Sequence, residues 1–332
     1  MKVALLSFPN RPDRYGNSET FLEGFEVVRG VYDENNLGQF LREMDGVDAI
    51  LCRASIVMPP EVVEQLKTVK AISVTGVGYN YEMAEAAKRA GIVFCALRGF
   101  NSKEVADHTA ALIVSLVRGL KKFDRSVEER GEWKPLLCAG SIHRIEDLVV
   151  GVVGLGQIGQ GVARRLQGFG AKVVAYDPYL PPKVAADMNV ELIDFDTLLA
   201  VSDVITNHMN LTAENTGMFN RAAFEKMEKH PVFVNCARGG SVVEADLLEA
   251  LDSGRISAAG LDVFLSEKPD LKGEYKPFLG RDNVIITPHA AFYSTTSERL
   301  AQELSVANIR YALSGETDKI SVIVNGVKNV KK

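Results

Sequence analysis

Short runs of consecutive apolar residues recur along this chain, separated by stretches in which apolar positions fall three and four apart. That alternation predicts strands buried on both faces and joined by amphipathic helices. In the first part of the chain, strands are expected at Lys2–Ser7, Asp48–Cys52, Ala71–Val74 and Ile92–Cys95, with helices at Glu61–Lys67 and Glu82–Ala90. A second series is expected at Leu148–Val153, Ala171–Tyr176, Asp203–His208, Pro231–Ala237, Ser257–Phe264 and Asn283–Thr287. Helices accompany it at Arg221–Lys229 and at Glu244–Ser253, where Gly254 ends the second. Asn101 opens a long helix to Leu120, with Glu104 three residues on as a capping box. Its apolar positions, Val105, Thr109, Leu112, Ile113, Leu116, Val117 and Leu120, cover a face wide enough for a helix that links domains or forms a dimer seam. A last helix runs from about Thr296 to Leu313, with Leu300, Leu304, Ala307 and Tyr311 on one face.

One unit in this pattern carries chemistry. The strand Leu148–Val153 runs into Gly154-Leu155-Gly156-Gln157-Ile158-Gly159, then a helix to about Gln167, then a strand closed by Asp177. In such a GxGxxG turn Gly154 permits the tight bend, Gly156 lets the backbone approach a diphosphate, and Gly159 lets helix and strand pack closely. Free backbone N–H groups near Gln157 and Ile158 attract the diphosphate, and Asp177 accepts hydrogen bonds from ribose hydroxyls. The order strand, glycine turn, helix, strand, acid makes this a dinucleotide site. The fold class is therefore α/β with two open parallel sheets. A Rossmann dinucleotide-binding domain, residues 102–287, is inserted into a flavodoxin-like substrate domain made of residues 1–101 and 288–332.

Composition narrows the partners. A net charge of −5 argues against broad nucleic-acid binding through a basic face. The N-terminal apolar run is stopped by Pro9 and is too short for a signal peptide. With no apolar stretch of membrane-spanning length, a cytoplasmic protein is expected. Cys52, Cys95, Cys138 and Cys236 are scattered without metal spacing and read as reduced thiols.

The segments VGLGQIGQGVA, AYDPY, VNCARGG, GLDVFLSE and TPHAA, in this order, resemble the D-isomer-specific 2-hydroxyacid dehydrogenase family over nearly the whole chain. HAAFYS and the linker GEWKPLLCAGSIHRI are similar to the C-terminal-binding-protein branch and its bacterial enzyme relatives. The resemblance implies NAD as cofactor and hydride transfer between nicotinamide C4 and substrate C2. It places the catalytic roles on Arg238, Glu267 and His289. Arg238 would pair with the carboxylate of a 2-oxo acid and polarise its carbonyl. His289 would deliver the proton to the carbonyl oxygen, and Glu267 would orient His289 and favour its cation.

By the same resemblance, Asp262 binds the nicotinamide carboxamide, Cys236 and Ala237 offer backbone contacts beside it, and Thr109 and Thr212 are cofactor-side threonines. The loop His208–Thr212 belongs to the cofactor site but has Asn210 where the family usually has proline. Val77 and Gly78 resemble the loop that binds the substrate carboxylate, Arg53 a second substrate arginine, and Phe292 an aromatic of the substrate pocket. Val74 stands where phosphoglycerate dehydrogenases carry an arginine.

The leading expectation is an NAD-dependent enzyme interconverting a 2-oxo acid and a D-2-hydroxy acid, working as a homodimer. No C-terminal regulatory extension is expected, and together with Val74 this expectation disfavours 3-phosphoglycerate dehydrogenase as the alternative. Formate dehydrogenases carry glutamine in place of Glu267. An NAD(H)-sensing corepressor or scaffold of the C-terminal-binding-protein type keeps the same residues and stays open.

Overall fold

The apolar runs become two parallel sheets, each in its own compact unit of a computed structural model that describes residues 1–8, 18–134, 136 and 142–328. One unit comprises Met1–Phe100 and Ser294–Lys332, the other Asn101–Tyr293. The second crossing thus falls at Ser294, later than the 288 read from sequence. Backbone hydrogen bonds explain the shift, because His289, Ala290 and Ala291 are all tied to Asp262 of the inserted unit. Cys138 lies outside the described residues, as do 135, 137 and 139–141 of the linker.

In the first unit the strands are β1 (Lys2–Ser7), β2 (Glu26–Val31), β3 (Ala49–Arg53), β4 (Ala71–Thr75), β5 (Val93–Ala96) and β13 (Val322–Ile323). Their order is β13-β5-β4-β3-β1-β2, parallel except for β13 against β5. Side chains alternate between two buried layers. Ile50, Cys52, Ile72 and Val74 enter the layer with Phe40 and Met44, while Ala49, Leu51 and Ala71 pack with Val306, Ile309 and Ala312 of the helix Thr295–Ser314. Burial on both faces is why these strands read as unbroken apolar runs. Strand β2 was not expected: EVVRGV is an edge strand with charged, mostly exposed positions, too polar for an apolar-run criterion. Strand β13, two residues long, is too short to read.

In the second unit β6 (Val149–Val153), β7 (Lys172–Tyr176), β8 (Glu191–Leu192), β9 (Val204–Asn207), β10 (Val232–Asn235), β11 (Ala258–Leu261) and β12 (Val284–Ile286) form an all-parallel sheet. The order is β12-β11-β10-β9-β6-β7-β8. The direction of winding reverses between β6 and β9, and ligands of open α/β sheets bind outside the carboxyl ends of strands at such a point. In the first sheet the corresponding reversal lies between β1 and β3.

The long helix after Asn101 departs from its expected form. No side chain caps it, so the box with Glu104 is not made, and it stops at Val117. Gly119, left-handed at φ 63°, starts a second helix, Leu120–Arg130, with Leu120 and Val127 exposed. The first helix buries Val105, Ala106, Thr109, Ala110, Leu112 and Ile113 against β10, β11 and the helix Gln157–Gly168. Part of its apolar face is therefore core.

Candidate active site

At the β6/β9 reversal, Gly154 turns with φ +91°, and a Cβ there would sit 2.8 Å from Met209 N and 2.9 Å from the His208 carbonyl carbon. A Cβ on Gly159 would lie 2.1 Å from the Gly154 oxygen, so both glycines are required by packing alone. Gly156 differs: a Cβ on it would meet nothing within 4 Å. The space beside it is left by the fold at the start of Gln157–Gly168, a helix with no side-chain cap and with Gln157 and Ile158 in its first turn. This vacant side of Gly156 together with an uncapped helix end fits a diphosphate.

Asp177 is fixed beside that turn. Its Oδ2 accepts from Leu155 N–H at 2.8 Å, and its Oδ1 accepts from Tyr179 N–H at 3.0 Å and Leu180 N–H at 3.1 Å. Three backbone donors hold the carboxylate in one orientation. A 2′-phosphate would meet this charge, so kcat/KM with NADPH is expected to be lower than with NADH by roughly tenfold to a hundredfold. Parallel initial-rate measurements with the two cofactors check this; equal values would exclude the role given to Asp177.

The other cofactor-side candidates divide. Thr212 sits in an exposed loop whose N–H donates to Asn215 Oδ1 at 2.8 Å, while Asn215 Nδ2 donates to the Asn210 carbonyl at 2.7 Å. Asn215 thereby closes the loop that the family's proline would otherwise stiffen. Thr109 has no exposed surface, and its hydroxyl donates to Val105 O at 2.7 Å. Burial pushes the Cys236 thiol up to about 12, as it does for Cys52 and Cys95, so all three remain protonated. Ala237 N–H donates to Asn235 Oδ1 at 3.1 Å, and its carbonyl accepts from Arg238 Nη1.

His208 is half-buried, with Nε2 3.0 Å from Thr206 Oγ1 and Nδ1 sealed from solvent. Burial pushes its pKa down to about 3. The unfolded chain takes up this proton below about pH 6.5 and the folded chain does not, so stability falls as pH drops through that window, by up to about 1.4 kcal/mol per pH unit. Urea unfolding at pH 7.5 and pH 5 should show a larger loss for the wild type than for His208→Gln. Equal losses would contradict the assignment.

The chemistry-bearing side chains line the carboxyl ends of three neighbouring strands. Arg238 follows β10, and its turn is held by buried polar groups that were not singled out from sequence. Asn235 Nδ2 and Ser241 Oγ both donate to the Arg238 carbonyl, at 3.0 and 2.7 Å, and Asn207 Nδ2 donates to Ser241 Oγ at 2.8 Å. Asparagines ending otherwise apolar strands, VITN and VFVN, were the available signal. The guanidinium is exposed, donates to Ala237 O at 2.7 Å, and makes no salt bridge with a carboxylate of the described residues. It is free to turn to an anionic ligand.

His289 follows β12 and adopts φ +51°, a conformation uncommon outside glycine. Its N–H donates to Asp262 O at 2.9 Å, and the Asp262 carboxylate accepts from Ala290 N–H at 2.8 Å, Ala291 N–H at 3.0 Å and Thr287 Oγ1 at 2.6 Å. Asp262, 2% exposed, thus holds the strained histidine loop, a role the sequence did not show. His289 Nδ1 lies 2.9 Å from Glu267 Oε2, the pairing expected from sequence. With Nδ1 committed to the carboxylate, Nε2 is the nitrogen left to exchange a proton with a ligand. Phe292 packs edge-on to the imidazole at 6.2 Å.

In the first unit Arg53 ends β3 at the reversal point of its sheet, with Nη2 3.7 Å from Glu298 Oε2. Val77 is exposed, and the Gly76 carbonyl is anchored by Leu97 N–H at 2.9 Å. Val74 is 2% exposed inside the core.

Comparison with known proteins matches this architecture. Residues 110–291 fit the NAD-binding domain of the D-isomer-specific 2-hydroxyacid dehydrogenases. The chain belongs to that family, and its inserted unit is the family's NAD-binding domain. It is 39% identical over 266 residues to D-3-phosphoglycerate dehydrogenase of Archaeoglobus fulgidus, covering 80% of this chain and 49% of that protein. The chain thus spans about half the length of the phosphoglycerate dehydrogenases it matches. Among solved structures, D-2-hydroxyisocaproate dehydrogenase aligns with a TM-score of 0.85 at 25% identity, covering 98% of this chain and 100% of that one. D-lactate dehydrogenase of Aquifex aeolicus, complexed with NAD and lactic acid, aligns with a TM-score of 0.82 at 26% identity, covering 98% and 99%.

Proposed function

We propose that this protein is an NAD-dependent oxidoreductase that interconverts a 2-oxo acid and a D-2-hydroxy acid. The observation that carries the reading is the His289–Glu267 pair, with His289 at positive φ on a loop held by Asp262. Gly154–Gly159 and Asp177 would hold NAD, which when bound would supply or accept a hydride at substrate C2. The Arg238 guanidinium binds the substrate carboxylate and draws electron density from the carbonyl. Nε2 of His289 gives its proton to the carbonyl oxygen during reduction and takes it back during oxidation. The Glu267 carboxylate fixes the ring through Nδ1 and offsets the positive charge of the protonated state. By the family resemblance, Val77 and Gly78 are carboxylate-loop candidates of the first unit, and Phe292 is a substrate-side aromatic candidate of the second.

For the substrate tail, Arg53 already faces Glu298, which lowers its pull on a second anionic group. This supports a 2-oxo acid with a neutral tail. The 39% identity to a phosphoglycerate dehydrogenase favours the other reading, a phosphorylated tail. Initial rates with pyruvate, 2-oxoisocaproate, hydroxypyruvate and 3-phosphohydroxypyruvate decide between them. Higher kcat/KM on the unphosphorylated acids is expected, and preference for the phosphorylated one would replace the neutral-tail reading. NADH binding with no turnover on any of them would favour the scaffold alternative.

Exposed Leu120 and Val127, after the break at Gly119, support a homodimer formed through this edge of the inserted unit. Light scattering at micromolar concentration should give twice the chain mass. A monomer would exclude it. Among the described residues no helix is long and apolar enough to cross a membrane, and the proposed setting is the cytoplasm.

A further inference from the structure

Strand β9, VITN, ends in Asn207, a residue with no exposed surface. A buried amide is costly unless its polar groups are paired, and here all of them are. Asn207 Oδ1 accepts from Met209 N–H at 3.2 Å, while Nδ2 donates to Ser241 Oγ at 2.8 Å and to Asn235 Oδ1 at 3.3 Å. The Met209 N–H can only donate, which fixes which way round the amide sits. Ser241 Oγ accepts from Asn207 and uses its own hydrogen to donate to the Arg238 carbonyl at 2.7 Å. The bonds thus run in one direction, from Met209 through Asn207 and Ser241 to Arg238.

Both ends of this chain of bonds reach the candidate site. Met209 N lies against the glycine turn, 2.8 Å from where a Cβ on Gly154 would sit. Arg238 is extended, at φ −144° and ψ 137°, and its carbonyl also accepts from Asn235 Nδ2 at 3.0 Å. A second contact joins the same two segments. A Cβ on Gly240 would lie 2.9 Å from Leu211 Cδ2, so Leu211 of the His208–Thr212 loop sits on the arginine turn. The turn has no slack behind it, since a Cβ on Gly239 would lie 2.0 Å from the Phe264 carbonyl carbon.

We propose that Asn207 and Ser241 are positioning residues: they lock the arginine turn to the cofactor-side loop, so that Arg238 is aimed at the carboxylate of a 2-oxo acid. This rests on the reading of Arg238 as the substrate-binding arginine. At 0% and 2% exposure neither residue meets a ligand. Ser241 therefore acts through Arg238, and Asn207 through both Arg238 and the Met209 peptide. An apolar side chain could fill the place of Asn207, but only a group that both accepts and donates joins the two segments.

Ser241→Ala carries the test, because it removes one hydroxyl and leaves the bond between Met209 and Asn207 in place. The substrate is whichever of pyruvate, 2-oxoisocaproate, hydroxypyruvate and 3-phosphohydroxypyruvate is reduced fastest. KM for it is expected to rise about tenfold with kcat lowered less than about threefold, as misplacement of a binding group should do. NADH affinity, by fluorescence titration, should stay within about twofold. In an Arg238→Gln background the same substitution should cost less than about twofold in kcat/KM, because the group it positions is already gone. Asn207→Ala should raise KM as much and also weaken NADH binding by about threefold or more, and adding Ser241→Ala to it should raise KM no further. Equal losses with and without Arg238, or a KM change that only follows a fall in Tm, would overturn the proposal. So would an unchanged KM in an active Ser241→Ala enzyme, and in that case the site reading survives. Wild-type kcat/KM in Arg238→Gln, or a wild type that consumes no NADH with any of the four acids, overturns the site reading and this proposal together.

Discussion

Replacing His289 with asparagine is expected to lower kcat/KM for 2-oxo acid reduction by about 10²–10⁴-fold, the usual contribution of a positioned acid–base group. Asparagine is the informative choice because it tolerates the left-handed backbone that residue 289 adopts at φ +51°, whereas alanine would add strain to the loss of the ring. The two backbone bonds from residue 289 to Asp262 and Thr287 do not involve the side chain and should persist. Stability and NADH affinity should therefore stay close to wild type while turnover is lost. The measurement is a steady-state assay beside NADH titration by fluorescence and a thermal melt. Retention of more than a tenth of wild-type kcat/KM would remove His289 from the chemistry.

The second large effect concerns Gly156 and Gly159, which the sequence motif presents as equivalent and the structure does not. Gly156→Ala adds a methyl into open space at φ −69°, which alanine adopts readily. The apoprotein should melt within a few degrees of wild type, yet NADH should bind at least about tenfold more weakly, because the methyl occupies the approach of the diphosphate. Gly159→Ala instead puts a Cβ 2.1 Å from the Gly154 carbonyl oxygen, so the backbone must shift. A loss of about 1–3 kcal/mol in the apoprotein is expected, as for other overpacked positions. Thermal melts without cofactor and NADH titrations of both variants test the pair. Normal NADH affinity in Gly156→Ala would mean that no diphosphate lies there.

What could be read from the sequence depended on whether one local pattern fixed the feature. Strands buried on both faces, such as Ala71–Thr75, announce themselves as apolar runs, and the Gly154–Gly159 turn with Asp177 is a contiguous signature. Edge strand β2, with Glu26 and Arg29 in it, has no such run and is defined by its pairing with β1, residue for residue from Lys2↔Glu26 to Ser7↔Val31. The pairing of Glu267 with His289 was legible only through family spacing, because nothing local says that an exposed loop acid reaches across 22 residues. Asp262 was legible as a site residue, but its hold on the 290–291 backbone required the sheet order that puts β11 beside β12. Position in a motif gives no depth, and burial of the Thr109 and Val74 side chains was visible only in the structure.

The most direct test of the central claim is to incubate the purified protein with NADH and a panel of 2-oxo acids, follow NADH absorbance, and resolve the enantiomers of any 2-hydroxy acid formed. Consumption of NADH matched one for one by a D-2-hydroxy acid, and abolished in His289→Asn, is the expected result. NADH bound but not consumed with every acid, or an L-2-hydroxy acid as product, would contradict it.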